Sequence, residues 1–376
     1  MIKIMKLNII SLDNPFPPDY GGAIDIYYKL KYLSIIGCKI NLHYFYSKRN
    51  PSPELESICN KVYYYPRKSI IKSNLNILIP YVVSSRDSKE LINNLSTNKH
   101  PILFDGLQST LISKSNKLKN RKKYLRLHNI ESKYMKYLSY NEKNWIRKIG
   151  LKLDSFRYKS FEKKVSQFET IFAISEKDQK FYKKYHPNVE ILNVFHGQSK
   201  VLSRLGKGEY ILYHGNFDVS ENLNAALFLI YKVFNNLQFP IKIAGKNALK
   251  NLKPYITNSN IELIDNPNLG FMQKLIMDAH INVLPTFQAT GVKLKLINSL
   301  YLGRHCIVNN KMISPTPQLK KLCSICNSPD EFIKLINEKI ELLFLENDIK
   351  VRDSILQKYF DNLENSKKLK KHLFDE

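Results

Sequence analysis

No apolar run in the chain approaches the roughly 20 residues that a membrane-spanning helix needs. The longest, around Leu75 to Val83, is interrupted by Asn76 and Pro80. The opening stretch MIKIMKLNIISLDNPFPPDYGG also lacks the form of a secretory leader. Its apolar part is short, broken by Lys6 and Asn8, and followed by prolines instead of a small-residue cleavage site. It reads as a first buried strand, and the expectation is a cytoplasmic protein. Cysteine is scarce, at five residues. Cys38, Cys59 and Cys306 lie in or near apolar segments and read as small core residues. Cys323 and Cys326 form a C-x-x-C, but no second Cys or His pair stands at zinc spacing, so no structural metal is expected. There is no G-x-G-x-x-G, which removes support for a nicotinamide-type dinucleotide site. No internal repeat at solenoid period is present.

Acids are few as well. Against 59 Lys and Arg stand 33 Asp and Glu, a net charge of +26. Lys, Asn, Ile and Tyr are all abundant, as AT-rich coding produces, but that bias would raise Glu too and does not explain the missing acids. A basic surface suits an anionic partner: a phosphate-bearing substrate, a membrane leaflet or nucleic acid. No helix-turn-helix, zinc-finger or RNP-type pattern accompanies the charge, so nucleic acid is not expected as a partner.

What the sequence does contain is alternation. KIMKLNIIS, CKINLHYFY, KVYYYP, PILFDG and KKYLRLHN read as strands. AIDIYYKLKYLSIIG has helical periodicity, and a basic helix is expected from about Trp145 to Phe168. TIFAIS, a helix opening at Ser175 and Glu176, and VEILNVF follow. The pattern stops at HGQSKVLSRLGKGE, a polar, Gly-containing linker. It then restarts with YILYHGN, ENLNAALFLIYKVF, PIKIAG, NIELID, LGFMQKLIMDA, HINVLP and HCIVN. Strands alternating with helices imply parallel sheets covered on both faces. The expected fold class is α/β, with two doubly wound Rossmann-like domains facing a central cleft. The boundaries are 1–200 and 207–345, with a helical tail over 346–376. In such folds ligands bind outside the carboxyl ends of the strands.

Four loops at strand ends carry the candidate residues. In FPPDYGGA, Gly21 and Gly22 open a helix, either as a tight turn or as a backbone approach to an anion. In LRLHNIESKY, His128 follows a strand and can reach a substrate, with Asn129 beside it; the alternative is that Asn129 caps the next helix and His128 is a bystander. In LYHGNFDVSENLNAA, His214, Gly215 and Asn216 follow a strand, with Glu221 near the start of a helix that Ser220 would cap. In TFQATGVKLKLINSLYLGR, Gly291 allows a tight turn before a helix, and Lys293 and Lys295 add full charges to its N-terminus. That set suits a diphosphate; the alternative is a solvated Lys pair. Asp105, in PILFDG, and Gly245 and Lys246, after PIKIAG, are further candidates at strand ends.

The ordered set PPDYGG, LRLHNIES, FAISEKD, LYHGNFDVSENLNAA and GVKLKLINSLYLGR resembles the GT-B glycosyltransferases. In particular it is similar to the large bacterial, retaining, nucleotide-sugar-dependent group (family 4-like) that builds surface glycans. The resemblance covers roughly residues 5 to 345. It implies a hexosyltransferase whose C-terminal domain binds a nucleotide sugar and whose N-terminal domain binds a glycan or lipid-linked acceptor. It implies no cofactor and no metal, and a last helix that crosses back to the first domain. His128 and Lys295 would be catalytic, with His214, Gly215, Asn216, Gly245, Lys246, Thr290, Gly291, Val292, Lys293 and Asn298 on the donor and Gly21, Gly22, Asp105 and Asn129 on the acceptor. Many relatives carry two glutamates where this chain has Thr290 and Asn298, and an Arg near the position of Asn216. Lys295 matches the basic residue three positions before the second glutamate.

The chemistry so implied is sugar transfer, with charge developing on a departing diphosphate and stabilised by basic groups. A sugar-nucleotide epimerase of the same fold, or a non-catalytic relative binding nucleotide or glycan, would share these loops. Finally, KNWIRKIGLKLDSFRYKSFEKKVSQF places Trp145, Ile146, Ile149, Leu153 and Phe156 largely along one side of a basic helix, and SKSNKLKNRKK adds charge nearby. Either that side rests on the anionic inner membrane face, making the protein peripheral, or it packs into the first domain.

Overall fold

A computed structural model describes residues 5–47, 49, 51–69, 73, 78–288 and 290–374. Lys3 and Ile4 of the expected first strand, and Leu75 to Ile77 of the longest apolar run, lie outside the described residues. The chain divides into two compact units. The first holds the residues up to Gly197, Thr290–Val292 and the segment from Phe360; the second holds Gln198–Ala289 and Lys293–Tyr359.

The first unit is built on seven parallel strands: β1 (Lys6–Ser11), β2 (Lys39–Tyr46), β3 (Lys61–Pro66), β4 (Ile102–Asp105), β5 (Lys123–Arg126), β6 (Thr170–Ala173) and β7 (Val189–Ile191). Their order is β3-β2-β1-β4-β5-β6-β7. β1 reads LNIIS without alternation because both of its faces are covered: Leu7, Ile9 and Ile10 are fully buried. Helix α1 (Gly21–Ile35) buries Ala23, Ile26, Leu30 and Leu33 on one face, at the three-to-four-residue spacing of an amphipathic helix. Helix α2 (Glu131–Asn141) and helix α3 (Trp145–Phe161) form an antiparallel pair.

α3 stops seven residues short of the expected Phe168. Its C-cap, Glu162, is buried and accepts hydrogen bonds from the Ser132 amide, at 3.2 Å, and the Ser132 hydroxyl. Val165 and Phe168 therefore enter the core from a turn instead of a helix face. A helix over Lys89–Ser96, capped by Ser88, was not legible in its polar sequence.

The second unit has six parallel strands: β8 (Ile211–His214), β9 (Ile241–Gly245), β10 (Ile261–Asp265), β11 (Ile281–Leu284), β12 (His305–Val308) and β13 (Ser324–Ile325), in the order β10-β9-β8-β11-β12-β13. Helix α4 (Ser220–Lys232) follows β8, and helix α5 (Leu294–Leu302) lies between β11 and β12. Cys38, Cys59 and Cys306 are buried core residues, and all five cysteines are free thiols.

Helix α6 (Asn362–Phe374) belongs to the first unit. Leu369 and Leu373 sit in the same apolar cluster as Leu7, Leu30 and Phe195. The Asn362 side chain clamps His196, accepting from its amide at 3.1 Å and donating to its carbonyl at 2.8 Å. Among the described residues no helix is long and apolar enough to cross a membrane.

Candidate functional site

Each sheet reverses its strand order once, between β1 and β4 in the first unit and between β8 and β11 in the second. At such switch points the two adjoining connections leave to opposite faces and open a crevice.

In the first unit that position holds a buried charge network. Asp105 ends β4 opposite Ser11 of β1. Lys29, from α1, donates to Asp105 Oδ2 at 2.6 Å and to Asp25 Oδ2 at 3.0 Å. Arg126, at the end of β5, approaches Asp25 Oδ1 at 3.3 Å and donates to the carbonyls of Leu192 and Asn193. The Phe195 amide donates to Asp25 Oδ1 at 2.8 Å. Two carboxylates and two cations thus neutralise each other with no net charge, which makes their burial tolerable. Burial alone would raise both carboxyl pKa values. Lys29, Arg126 and His128 hold Asp25 below its ordinary value, and Lys29 and His128 do the same for Asp105.

His128 is the exposed edge of this network. Its Nε2 lies 2.8 Å from Asp105 Oδ1, its Nδ1 lies 3.8 Å from Asp25 Oδ2, and its side chain is 13% exposed. Asp105 fixes the ring orientation and, as an acceptor, favours a proton on Nε2. Asp25, Asp105 and His128 bring three ligand-type atoms within 4.8 Å of one another. The Lys29 ammonium already fills the cation position between the two carboxylates, so the cluster is an internal ion-pair network and does not fit a metal.

Asn129 does not cap α2. Ile130 holds the N-cap position, and no side chain caps that end. The Asn129 side chain instead lies against Gly291, where an added Cβ would meet its Oδ1 at 2.4 Å. Gly291 has φ +66°, so the turn requires glycine both for backbone conformation and for space. Gly21 and Gly22 form the first turn of α1, whose N-cap, Tyr20, makes no side-chain cap.

In the second unit the site is made by two helix first turns and a strand end. Neither α4, with Val219 at its N-cap, nor α5, with Lys293 there, has a side-chain cap. Ser220 is therefore inside α4 and does not cap it. The two N-termini are joined through Glu221, which pairs with Lys293 at 2.9 Å and accepts from the Thr286 hydroxyl. Lys293 also reaches Gln288 Oε1 at 3.4 Å. Glu221 thus serves as an internal anion for Lys293, and Lys293 is not the free cation that the sequence suggested.

Lys295 differs. Its Nζ donates to Asn222 Oδ1 at 2.7 Å and lies 3.4 Å from the Tyr213 hydroxyl and the His214 carbonyl. It also sits over the Tyr213 ring, 4.8 Å from the centroid. All of these partners are neutral. Burial pushes its pKa down to about 8, Glu221 opposing and Lys293 assisting. Lys293 and Lys295 against Glu221 leave one positive charge, beside two sets of uncapped helix amides. Positive charge of that kind beside helix N-termini is electrostatically favourable to an anion.

His214 points inward: Nε2 is 3.2 Å from Ser299 Oγ, and burial, with Lys295 nearby, lowers its pKa to about 3. It is a buried imidazole, uncharged at neutral pH, bonded to α5. Asn216 accepts from the Asp218 amide at 3.0 Å, which turns the loop and occupies its oxygen. Gly215 and Gly245 bring two strand ends into direct backbone contact; a Cβ on Gly245, at φ +151°, would stand 1.8 Å from the Gly215 carbonyl oxygen. Lys246 is exposed, and Asn298 is half-buried on α5.

The sequence reading left Asp25, Lys29, Arg126, Asn222 and Thr286 out. A signal existed for the first three: each is a charge inside an otherwise apolar periodic segment. None existed for Asn222 and Thr286, which are ordinary loop and helix-start residues by type.

No protein-family model matches the chain. A sequence relative is an uncharacterized 44.6 kDa protein in the cps region of Klebsiella pneumoniae, 27% identical over 315 residues, which span 78% of this chain and 80% of that one. Among solved structures, sucrose-phosphate synthase from Thermosynechococcus elongatus matches with a TM-score of 0.71 at 11% identity, over 99% of each chain. HepE of Anabaena, in complex with UDP-glucose, matches with a TM-score of 0.67 at 10% identity, over 99% of this chain and 100% of that one. WaaG, a glycosyltransferase involved in lipopolysaccharide biosynthesis, matches with a TM-score of 0.62 at 9% identity, over 98% and 100%. At these identities the likeness is one of fold: two Rossmann-like α/β units, the GT-B architecture of those glycosyltransferases.

Proposed function

We propose that this chain is a glycosyltransferase that moves a hexose from a nucleotide-sugar donor to a hydroxyl of a glycan or lipid-linked acceptor, in the making of a surface polysaccharide or glycoconjugate. The observation that carries the reading is Lys295: a half-buried ammonium held by neutral groups at a strand end, where two uncapped helix N-termini meet. The glycosyltransferase neighbours and the UDP-glucose bound by HepE support it.

In the reaction the bond from the anomeric carbon to the distal phosphate oxygen breaks, and its electron pair stays on the diphosphate. Lys295 and the amides of α4 and α5 stabilise that charge as it develops, which lowers the barrier. Because they supply the positive charge, the reaction runs without a metal ion. The acceptor oxygen forms the new bond to the anomeric carbon, and its proton leaves to the departing phosphate. In the first unit His128, its ring oriented by Asp105, is the proposed catalytic group on the acceptor. Transfer with retention of configuration follows from the family resemblance.

A second reading, binding without turnover, draws on Thr290 and Asn298, which stand where many relatives carry carboxylates. A thermal-shift screen of UDP-, GDP-, CMP- and dTDP-sugars identifies the donor, since a ligand bound only by the folded state raises its stability. Acceptor-dependent release of nucleoside diphosphate, undiminished by a chelator, is the expected result. Donor binding with no release across an acceptor panel establishes the second reading instead. Release without any acceptor indicates hydrolysis of the donor, and a changed sugar on the nucleotide without release indicates an epimerase.

A further inference from the structure

Helix α3 has two apolar faces. At 100° per residue, Leu151, Tyr158 and Phe161 fall on one side, with Asp154 and Ser155, and this side meets the core of the first unit. Trp145, Ile146, Ile149, Leu153 and Phe156 fall within an arc of about 100° on the other side. They are 69, 62, 50, 53 and 74% exposed. The packing of this side into the domain, one of the two expectations from sequence, is therefore excluded by the structure. Lys148, Lys152 and Lys159 border the stripe on one edge and Arg157 on the other, while the nearby acids Asp154 and Glu162 are buried. Tyr140, at the end of α2, adds an aromatic side chain that is 69% exposed.

We infer that this stripe is a docking surface for an anionic lipid leaflet. A continuous apolar patch on a water-exposed helix marks an interaction surface. Charge selects the occupant. A second copy of this chain would bring the same lysines face to face, in a protein that carries +26. An anionic leaflet accepts both halves of the pattern. The Trp, Ile, Leu and Phe side chains enter the boundary between headgroups and acyl chains, and the lysines extend their ammonium groups to the headgroup phosphates.

The placement of α3 gives the docking a use. Glu162, at its end, is bonded to Ser132 in the first turn of α2, and α2 starts directly after His128 and Asn129. A leaflet under α3 thus anchors the element that carries the proposed acceptor-side residues next to lipid-linked acceptors. This use rests on the glycosyltransferase reading; the docking does not.

Trp145 is the only tryptophan in the chain, so its fluorescence reports the event directly. The full-length protein is mixed with phosphatidylcholine vesicles, with and without about one-third phosphatidylglycerol, at low and moderate salt. With the anionic vesicles the expected results are a blue-shifted Trp145 emission, protection from aqueous quencher and co-sedimentation, all weakened by salt. The partition coefficient falls about fivefold for each lysine charge removed, so Lys148→Glu, Lys152→Glu and Lys159→Glu together lower it by two orders of magnitude or more. Ile149→Ser with Phe156→Ser lowers it with the charges intact. All five positions are exposed, and unchanged circular dichroism confirms that the fold is kept. Equal recovery in the supernatant with both vesicle types overturns the inference. So does binding indifferent to phosphatidylglycerol, or a blue shift that grows with protein concentration in the absence of lipid, the mark of self-association. Donor binding, followed separately by thermal shift, distinguishes failure of this inference from failure of the enzymatic reading.

Discussion

Lys293 and Glu221 are joined by an ion pair of 2.9 Å, and this pair decides which lysine of the second unit meets an incoming phosphate. Lys293 enters α5 already neutralised. Lys295, two residues on, contacts only neutral groups.

Substitution of the two lysines therefore separates. Lys295→Ala is expected to lower turnover by roughly one to three orders of magnitude and to weaken nucleoside diphosphate binding about tenfold or more, since it removes a charge-assisted contact to the leaving group. Lys293→Ala leaves Glu221 without its cation, lowers thermal stability and changes turnover less. Calorimetric titration with the nucleoside diphosphate, alongside initial rates, makes the comparison. Equal minor effects from both would remove Lys295 from the mechanism.

The depressed pKa of Lys295 fixes a pH dependence. In the free protein, burial brings the pKa of this ammonium down to about 8 from its ordinary 10.5. A bound diphosphate favours the ammonium, so binding takes up a proton around and above pH 8, and affinity falls as pH rises there. Stability runs the other way. Between 8 and 10.5 the unfolded chain holds more protons at this group than the folded one, so its contribution to stability increases with pH across that window. Titration in two buffers of different ionisation enthalpy measures the proton uptake, and Lys295→Met should abolish it.

His128 and Lys29 share the first-unit network but should fail differently. His128→Ala removes its exposed edge, and transfer is expected to fall about 10- to 100-fold with nucleotide affinity unchanged. Lys29→Met leaves Asp25 and Asp105 facing each other without their common cation, at a cost of about 3–5 kcal/mol in stability. Urea unfolding of both variants, beside their rates, tests the division. A His128→Ala protein with normal specific activity would confine the imidazole to packing.

Glu131 gives the first unit a weakness at alkaline pH. Burial raises its carboxyl pKa to about 8 from 4.5, with Glu162 and Asp178 adding to the effect and Gln108 opposing it. The folded state keeps this proton where the unfolded chain has lost it. Stability from Glu131 is thus fully present below 4.5 and is lost as pH rises to about 8. Glu131→Gln should flatten that slope and raise the urea midpoint at about pH 8.5, by up to a few kcal/mol in free energy. A wild-type midpoint that does not fall across this range contradicts the assignment.

The fold was legible because both sheets are parallel and doubly covered, so strands such as KLNIIS and HCIV stand out as short apolar runs between helical periods. The site was legible only where glycine or helix-start chemistry marks a strand end: Gly291, Gly245, and Lys295 in the first turn of α5. The partners of those residues were not. Nothing in the sequence ties Glu221 to Lys293, 72 residues apart, or Lys29 to Asp105, 76 apart, because only the packed sheet brings them together. Local rules also misassigned two caps. Asn129 and Ser220 are cap-forming residue types one position away from the helix boundary, and the backbone placed Ile130 and Val219 at the N-caps instead.

The docking of α6 on the first unit has a consequence for the order in which the chain is made. Leu369 and Leu373 fill a cluster whose other members, from Leu7 to Phe195, emerge from the ribosome long before them. The first unit is started first and finished last, while the whole second unit is synthesised in between. Until α6 arrives, apolar surface on α1 and its neighbours stays open, an interval in which a nascent chain is exposed to aggregation and to chaperones. A substitution at Leu369 should therefore reduce the yield of folded protein from cells more than its effect on the stability of the purified protein would suggest.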